Sequence, residues 1–231
     1  MLPSRYWQKE FLEEIKSKRT LTMKFLLPLL LLSPLAIFSI PYNIKAGGIT
    51  AAVLFIGVFG SAVKLVRLRE NRMLERLAVL PIPSAYIVCE YILINSFFDG
   101  LQLLAPLLII YGLEHSQPIA LLWIFACYIA SLLTANALGV LVTLISGTSG
   151  EVHLFAFLTV LVVGALSGLF MILLPSPLRE IGFIMPFRHL LDALLYGWGF
   201  SLPQVPFLGP LMGIAWLVGT LTLSSRLFRF K

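Results

Sequence analysis

The stretch Ala46–Val66, AGGITAAVLFIGVFGSAVKLV, and the eighteen residues after it, Arg67–Ser84, RLRENRMLERLAVLPIPS, decide how the rest of the chain is read. The first holds one charged side chain, Lys64, in 21 residues. As a helix rising about 1.5 Å per residue it is about 31 Å long, the thickness of a bilayer's hydrocarbon core. The second is dense in arginine and glutamate and closes on Pro81 and Pro83. Apolar length followed by abrupt charge predicts a membrane span that emerges into water.

Composition supports the same solvent. The chain has 231 residues, 59% hydrophobic and 12% charged, with a mean hydropathy of +0.95. A soluble domain carries about 25% charged residues, so too little polar surface is available to face water on all sides. Six segments have the length of a span, or approach it: Phe25–Ile40, Ala46–Val66, Ala85–Leu113, Ile119–Ile145, Val152–Leu174 and Phe207–Leu223. The first is short and holds Pro28 and Pro34, so it is expected to kink or to run on past Pro41. The expected fold is an all-α polytopic membrane bundle in one domain, since unpaired backbone cannot face lipid. There is no internal repeat of the kind that builds many secondary transporters.

Charge sets the expected orientation. Fourteen of the 17 basic residues fall on the side shared by the two termini and the second and fourth loops; only Lys45, Arg179 and Arg188 fall on the other. The positive-inside rule therefore puts both termini in the cytoplasm of a cell-membrane protein. The first apolar segment follows some two dozen polar residues and no small-residue cleavage site follows it, so the N-terminus is expected to be retained. The net charge of +6 belongs to this topology, not to a nucleic-acid partner.

Three segments outside the spans carry pattern. In residues 1–24, Trp7, Phe11 and Ile15 recur at helical spacing with basic residues on the other face, predicting an interfacial helix against membrane lipids. In residues 67–84, Met73, Leu77 and Leu80 form an apolar stripe widened by Leu74, while Arg69, Glu70, Arg72, Glu75 and Arg76 supply charge. A short amphipathic helix of this kind is a docking knob for a soluble partner, or else a topogenic charge cluster resting on lipid. In residues 175–206, five prolines (175, 177, 186, 203 and 206) interrupt a hydrophobic stretch too broken to span. Two short helices, Leu178–Met185 and Phe187–Tyr196, are expected there as a re-entrant or interfacial pair on the outer face, with Gly197 and Gly199 ending the second.

Inside the spans one polar stripe stands out: Asn95, Asp99 and Gln102 recur at i, i+4 and i+7 in the third. An acid at mid-membrane costs about 2.5–3.5 kcal/mol on insertion scales and turns away from lipid. The stripe is read either as translocation path or subunit seam, or as interhelical hydrogen bonding. Gly164 with Gly168, and Gly209 with Gly213, are spaced for close helix approach.

Catalytic apparatus is not legible. His115, His153 and His189 lie in different loops, no H-E-x-x-H occurs, and Gly147–Gly150 is not a nucleophile elbow. His189 and Asp192 read as a pair on a helix surface. Cys89 and Cys127 sit inside apolar segments and offer neither a disulfide framework nor a metal site. No G-x-x-x-x-G-K-[ST] is present to cradle nucleotide phosphates. The chain is therefore read as a non-enzyme with no catalytic, cofactor-binding or metal-ligating residue.

Taken together, Leu74-Glu75-Arg76-Leu77 with Pro81 and the upstream Glu70, the leader, the spans and the proline-broken segment resemble the ABC-2 family of transporter permeases. Where that family's pattern has a Gly-Thr pair just before the motif, this chain has Arg72-Met73. The resemblance implies an exporter permease that pairs with a second permease subunit, as homo- or heterodimer, and with two cytoplasmic ATP-binding cassette ATPase subunits that hold ATP and Mg. It also implies that Glu70, Met73, Leu74, Glu75, Arg76, Leu77 and Leu80 form the coupling helix seated in an ATPase cleft.

Overall fold

A computed structural model of the chain describes residues 18–72, 83–112, 118–169, 180–200 and 208–227. Among these residues the regular structure is helical throughout. The main helices are α1 (Lys18–Ile37), α2 (Tyr42–Glu70), α3 (Ser84–Gly112), α4 (Pro118–Ile145), α5 (Ser149–Leu166), α6 (Pro186–Gly197) and α7 (Leu208–Leu227). Among the described residues four helices, Tyr42–Glu70, Ser84–Ile110, Ala120–Ile145 and Ser149–Leu166, are long and apolar enough to cross a bilayer; Pro28–Ile37 and Leu208–Leu223 are shorter apolar stretches.

Several boundaries differ from the hydropathy reading, each for a local reason. α1 takes in residues 18–24, assigned above to the leader, and stops at Ile37, so this helix does not run on past Pro41, after which α2 begins. α5 ends at Leu166, well before Leu174. There Gly168 adopts φ 76°, its N–H bonds Ala165 O at 3.0 Å and the Leu169 N–H bonds Gly164 O at 3.0 Å. This glycine-dependent C-cap ends a helix whatever the hydropathy beyond it. Gly168 is thus a stop signal, and it lies close to Arg188, whose Nη1 would stand 2.9 Å from a Cβ there.

α4 is the axis of the bundle. Every residue from Thr134 to Val140 is buried, and α2, α3, α5, α6 and α7 all pack on it. Small residues permit that crowding. Gly57 of α2 lies against Ala135, Gly139 of α4 lies against Ser61 and Val58, and Gly213 of α7 lies against Ala130. Without water to bond them, buried hydroxyls turn back on their own helices: Thr50 to Ala46 O (2.8 Å), Thr134 to Ala130 O (2.9 Å) and Thr220 to Trp216 O (2.7 Å).

The proline-broken segment yields one helix close to its expected place, α6, which ends at Gly197 with Gly199 at φ 89°. Only residues 180–182 of the expected Leu178–Met185 helix are helical among those described there. Leu190, Leu191, Asp192, Ala193 and Leu194 are consecutive and all buried, so α6 is wedged among α2, α4 and α7. A helix lying on lipid would expose one side. His189 and Asp192, read from sequence as a surface pair, are buried: His189 Nε2 meets Phe183 O at 2.8 Å, and Asp192 pairs with Arg188 at 3.2 Å. Near the start of α2, the Tyr42 ring lies 5.2 Å from Trp198 and 6.0 Å from Phe200, an aromatic cluster of the kind found at membrane–water interfaces.

Candidate functional site

The first candidate region is the far end of α2. A 29-residue helix is about 43 Å long, more than the roughly 30 Å hydrocarbon core requires, and its last turn carries Arg67 and Arg69. Arg69 reaches across to the end of α4. Its Nη1 donates to Thr143 O at 3.2 Å and Ser146 O at 2.8 Å, and its Nη2 donates to Gly147 O at 3.1 Å. Last-turn carbonyls lack intrahelical partners and carry the negative end of the helix dipole, so a planar cation fits there.

The same turn is held from its amide side. Glu151 Oε2 accepts from Gly147 N at 2.6 Å and Thr148 N at 3.3 Å, while Thr148 Oγ1 accepts from Glu151 N at 3.3 Å, completing a capping box that opens α5. Beyond Arg69, α2 ends at Glu70, and Arg72 adopts φ 53°. That left-handed conformation is the one glycine takes without steric cost.

The second region is an intramembrane polar seam. Asn95 is buried; its Oδ1 accepts from Lys64 Nζ of α2 at 3.0 Å and its Nδ2 donates to Tyr91 O at 3.1 Å. One turn along α3, the Asp99 Oδ2 accepts from Asn136 Nδ2 of α4 at 3.1 Å. The carboxylate lies over Gly60 of α2, where a Cβ would stand 3.7 Å from either oxygen. Gln102 is buried on the same stripe. Around this line, Tyr91 donates to Ser61 O at 2.6 Å, Tyr128 to Gly100 O at 2.7 Å, and Ser61 Oγ to Asn136 O at 3.1 Å. The seam therefore ties α2, α3 and α4 together through side chains of both charges.

Of the residues singled out in the sequence, Asn95, Asp99 and Gln102 lie together here, and Glu70 is exposed at the end of α2. Met73, Leu74, Glu75, Arg76, Leu77 and Leu80 lie outside the described residues, as does most of the leader. The reading from sequence missed Lys64 and Asn136 as partners. Lys64 entered only the topology count, although it is the single charge in Ala46–Val66. Asn136 had a signal as well, being the one side-chain amide in the fourth apolar run. Sequence alone shows Arg69 as one of the charges of the Arg67–Ser84 segment and names no partner for it.

Long apolar helices, polar side chains paired between them and charge at the helix ends define an integral membrane protein of the helical class. The family model described as ABC-2 family transporter protein matches residues 42–223. The chain belongs to the ABC-2 family and is a membrane permease component of an ABC transporter. No curated protein and no solved structure matches it.

Proposed function

We propose that the chain is the membrane subunit of an ATP-driven exporter, forming the translocation path with a second permease copy. The family match over residues 42–223 carries this reading. Membership implies ATP-binding cassette ATPase partners, and the sequence has no phosphate-cradling loop of its own. In this reading six helices cross the membrane, with the termini and the Arg67–Ser84 loop in the cytoplasm. Two ATPase subunits hold ATP and Mg, and the helix carrying Met73, Leu74, Glu75, Arg76, Leu77 and Leu80 seats in an ATPase cleft with Glu70 at its base. Asn95, Asp99 and Gln102 border the path or the seam between permeases.

Co-purification tests the reading. The chain is expected to bring down an ATPase subunit, and deletion of Glu70–Leu80 to abolish the association. Retention of the ATPase after that deletion would overturn the docking assignment. Membrane-impermeant labelling of cysteines placed at Asn71 and Asn43 tests orientation, with labelling from the outside expected at position 43 only.

A further inference from the structure

The contacts between α2 and α4 run in one line from mid-membrane to the end of both helices. Gly57 packs on Ala135; Ser61 Oγ bonds Asn136 O at 3.1 Å; Thr143 Oγ1 bonds Ala62 O at 3.3 Å; and Arg69 closes the line on Thr143, Ser146 and Gly147 carbonyls. Gly147 is gripped from both edges, its carbonyl by Arg69 and its N–H by Glu151. α5 starts two residues later, at Ser149, and is the least buried of the four long helices, with 28% of its apolar window inside the bundle against 72% for α4.

We propose that Arg69 is a positioning residue that locks the end of α2 to the Ser146–Glu151 turn, so that movement delivered to the end of α2 reaches α4 and the start of α5 as one rigid displacement. The proposal rests on the reading above for the source of that movement, and on geometry alone for the lock. Arg69 immediately precedes Glu70, where the docking segment begins, and its rigid guanidinium fork meets three carbonyls, two through Nη1 and one through Nη2. The turn it holds has no slack of its own, because the capping box fixes the amides while the arginine fixes the carbonyls. A push on α2 has no soft element to bend between Arg69 and α5.

The test places spin labels at Asn71→Cys and Gly150→Cys, both exposed, in a full-length chain whose Cys89 and Cys127 are replaced by alanine. A Cβ at Gly150 meets nothing within 4 Å, so a label there is accommodated. Without nucleotide, the distance distribution is expected to be narrow with Arg69 present and broad in Arg69→Ala. Identical distributions overturn the proposal. With the ATPase bound and trapped by ATP and vanadate, the distance is expected to keep its mean when Arg69 is present and to shift in Arg69→Ala. A shift with Arg69 present overturns it. If Arg69→Ala fails to fold, Arg69→Lys, which keeps the charge and loses the fork, carries both comparisons. Failure of any ATPase to bind counts against the proposed function alone, since the nucleotide-free arm still decides the lock.

Discussion

Asn136 of α4 and Asp99 of α3 meet at 3.1 Å inside the bundle, a hydrogen bond from a fully buried amide to an acid that lipid alone would not stabilise. Interhelical hydrogen bonds in membranes contribute about 0.6 kcal/mol on average and at most about 1.7 kcal/mol. A double-mutant cycle of Asp99→Ala and Asn136→Ala, read from unfolding in mild detergent, is expected to give a coupling energy within that span. Strict additivity would show that the two side chains do not support each other.

Gly139 is where α4 comes closest to α2. A methyl group there would overlap Ser61 Oγ and stand 2.5 Å from Val58 O. Gly139→Ala is expected to cost about 1–3 kcal/mol through overpacking, with a lower unfolding temperature. Gly150→Ala, in open space on α5, serves as the control and is expected to be neutral or slightly stabilising.

Arg72 holds a left-handed backbone at φ 53° on an exposed turn. L-residues lose about 1–2 kcal/mol there, and glycine gives back part of the gain through its freer unfolded chain. Arg72→Gly is therefore expected to raise stability by up to about 1 kcal/mol, seen as a higher unfolding temperature in detergent. A drop would mean that the arginine side chain outweighs the strain.

Thr148 caps α5 with its hydroxyl oxygen. Thr148→Ala is expected to destabilise by about 1 kcal/mol, while Thr148→Ser, which keeps the acceptor, is expected to be close to neutral. Equal losses in both variants would place the effect in the threonine methyl and not in the cap.

The helices that were legible in the sequence are those whose identity depends on apolar length alone. α2, α3 and α4 fall within a turn or so of the runs Ala46–Val66, Ala85–Leu113 and Ile119–Ile145. What was not legible depends on conformation or on partners. Hydropathy continues smoothly past Leu166, and only the positive φ of Gly168 shows that α5 stops. Periodicity aimed Asn95 and Asp99 inward, but it cannot say that Lys64 and Asn136 wait on the facing helices, because a stripe on one helix holds no information about its neighbours. α6 illustrates the same limit: the prolines predict one of a re-entrant or interfacial pair on the outer face, but only the structure shows the helix buried among α2, α4 and α7. The docking motif at residues 74–77 was carried by resemblance, and the family match spans it without adding geometry.

The partners in the polar seam also differ in when the ribosome makes them. Lys64 precedes Asn95 by 31 residues, so those two can meet as soon as α2 and α3 form a hairpin at the insertion machinery. Asp99 precedes Asn136 by 37 residues, and its acceptor oxygen has no amide from α4 until a further helix has been threaded. The Asn136 bond to Asp99 thus closes only when α4 arrives, onto an α2–α3 pair in which the carboxylate already lies over Gly60.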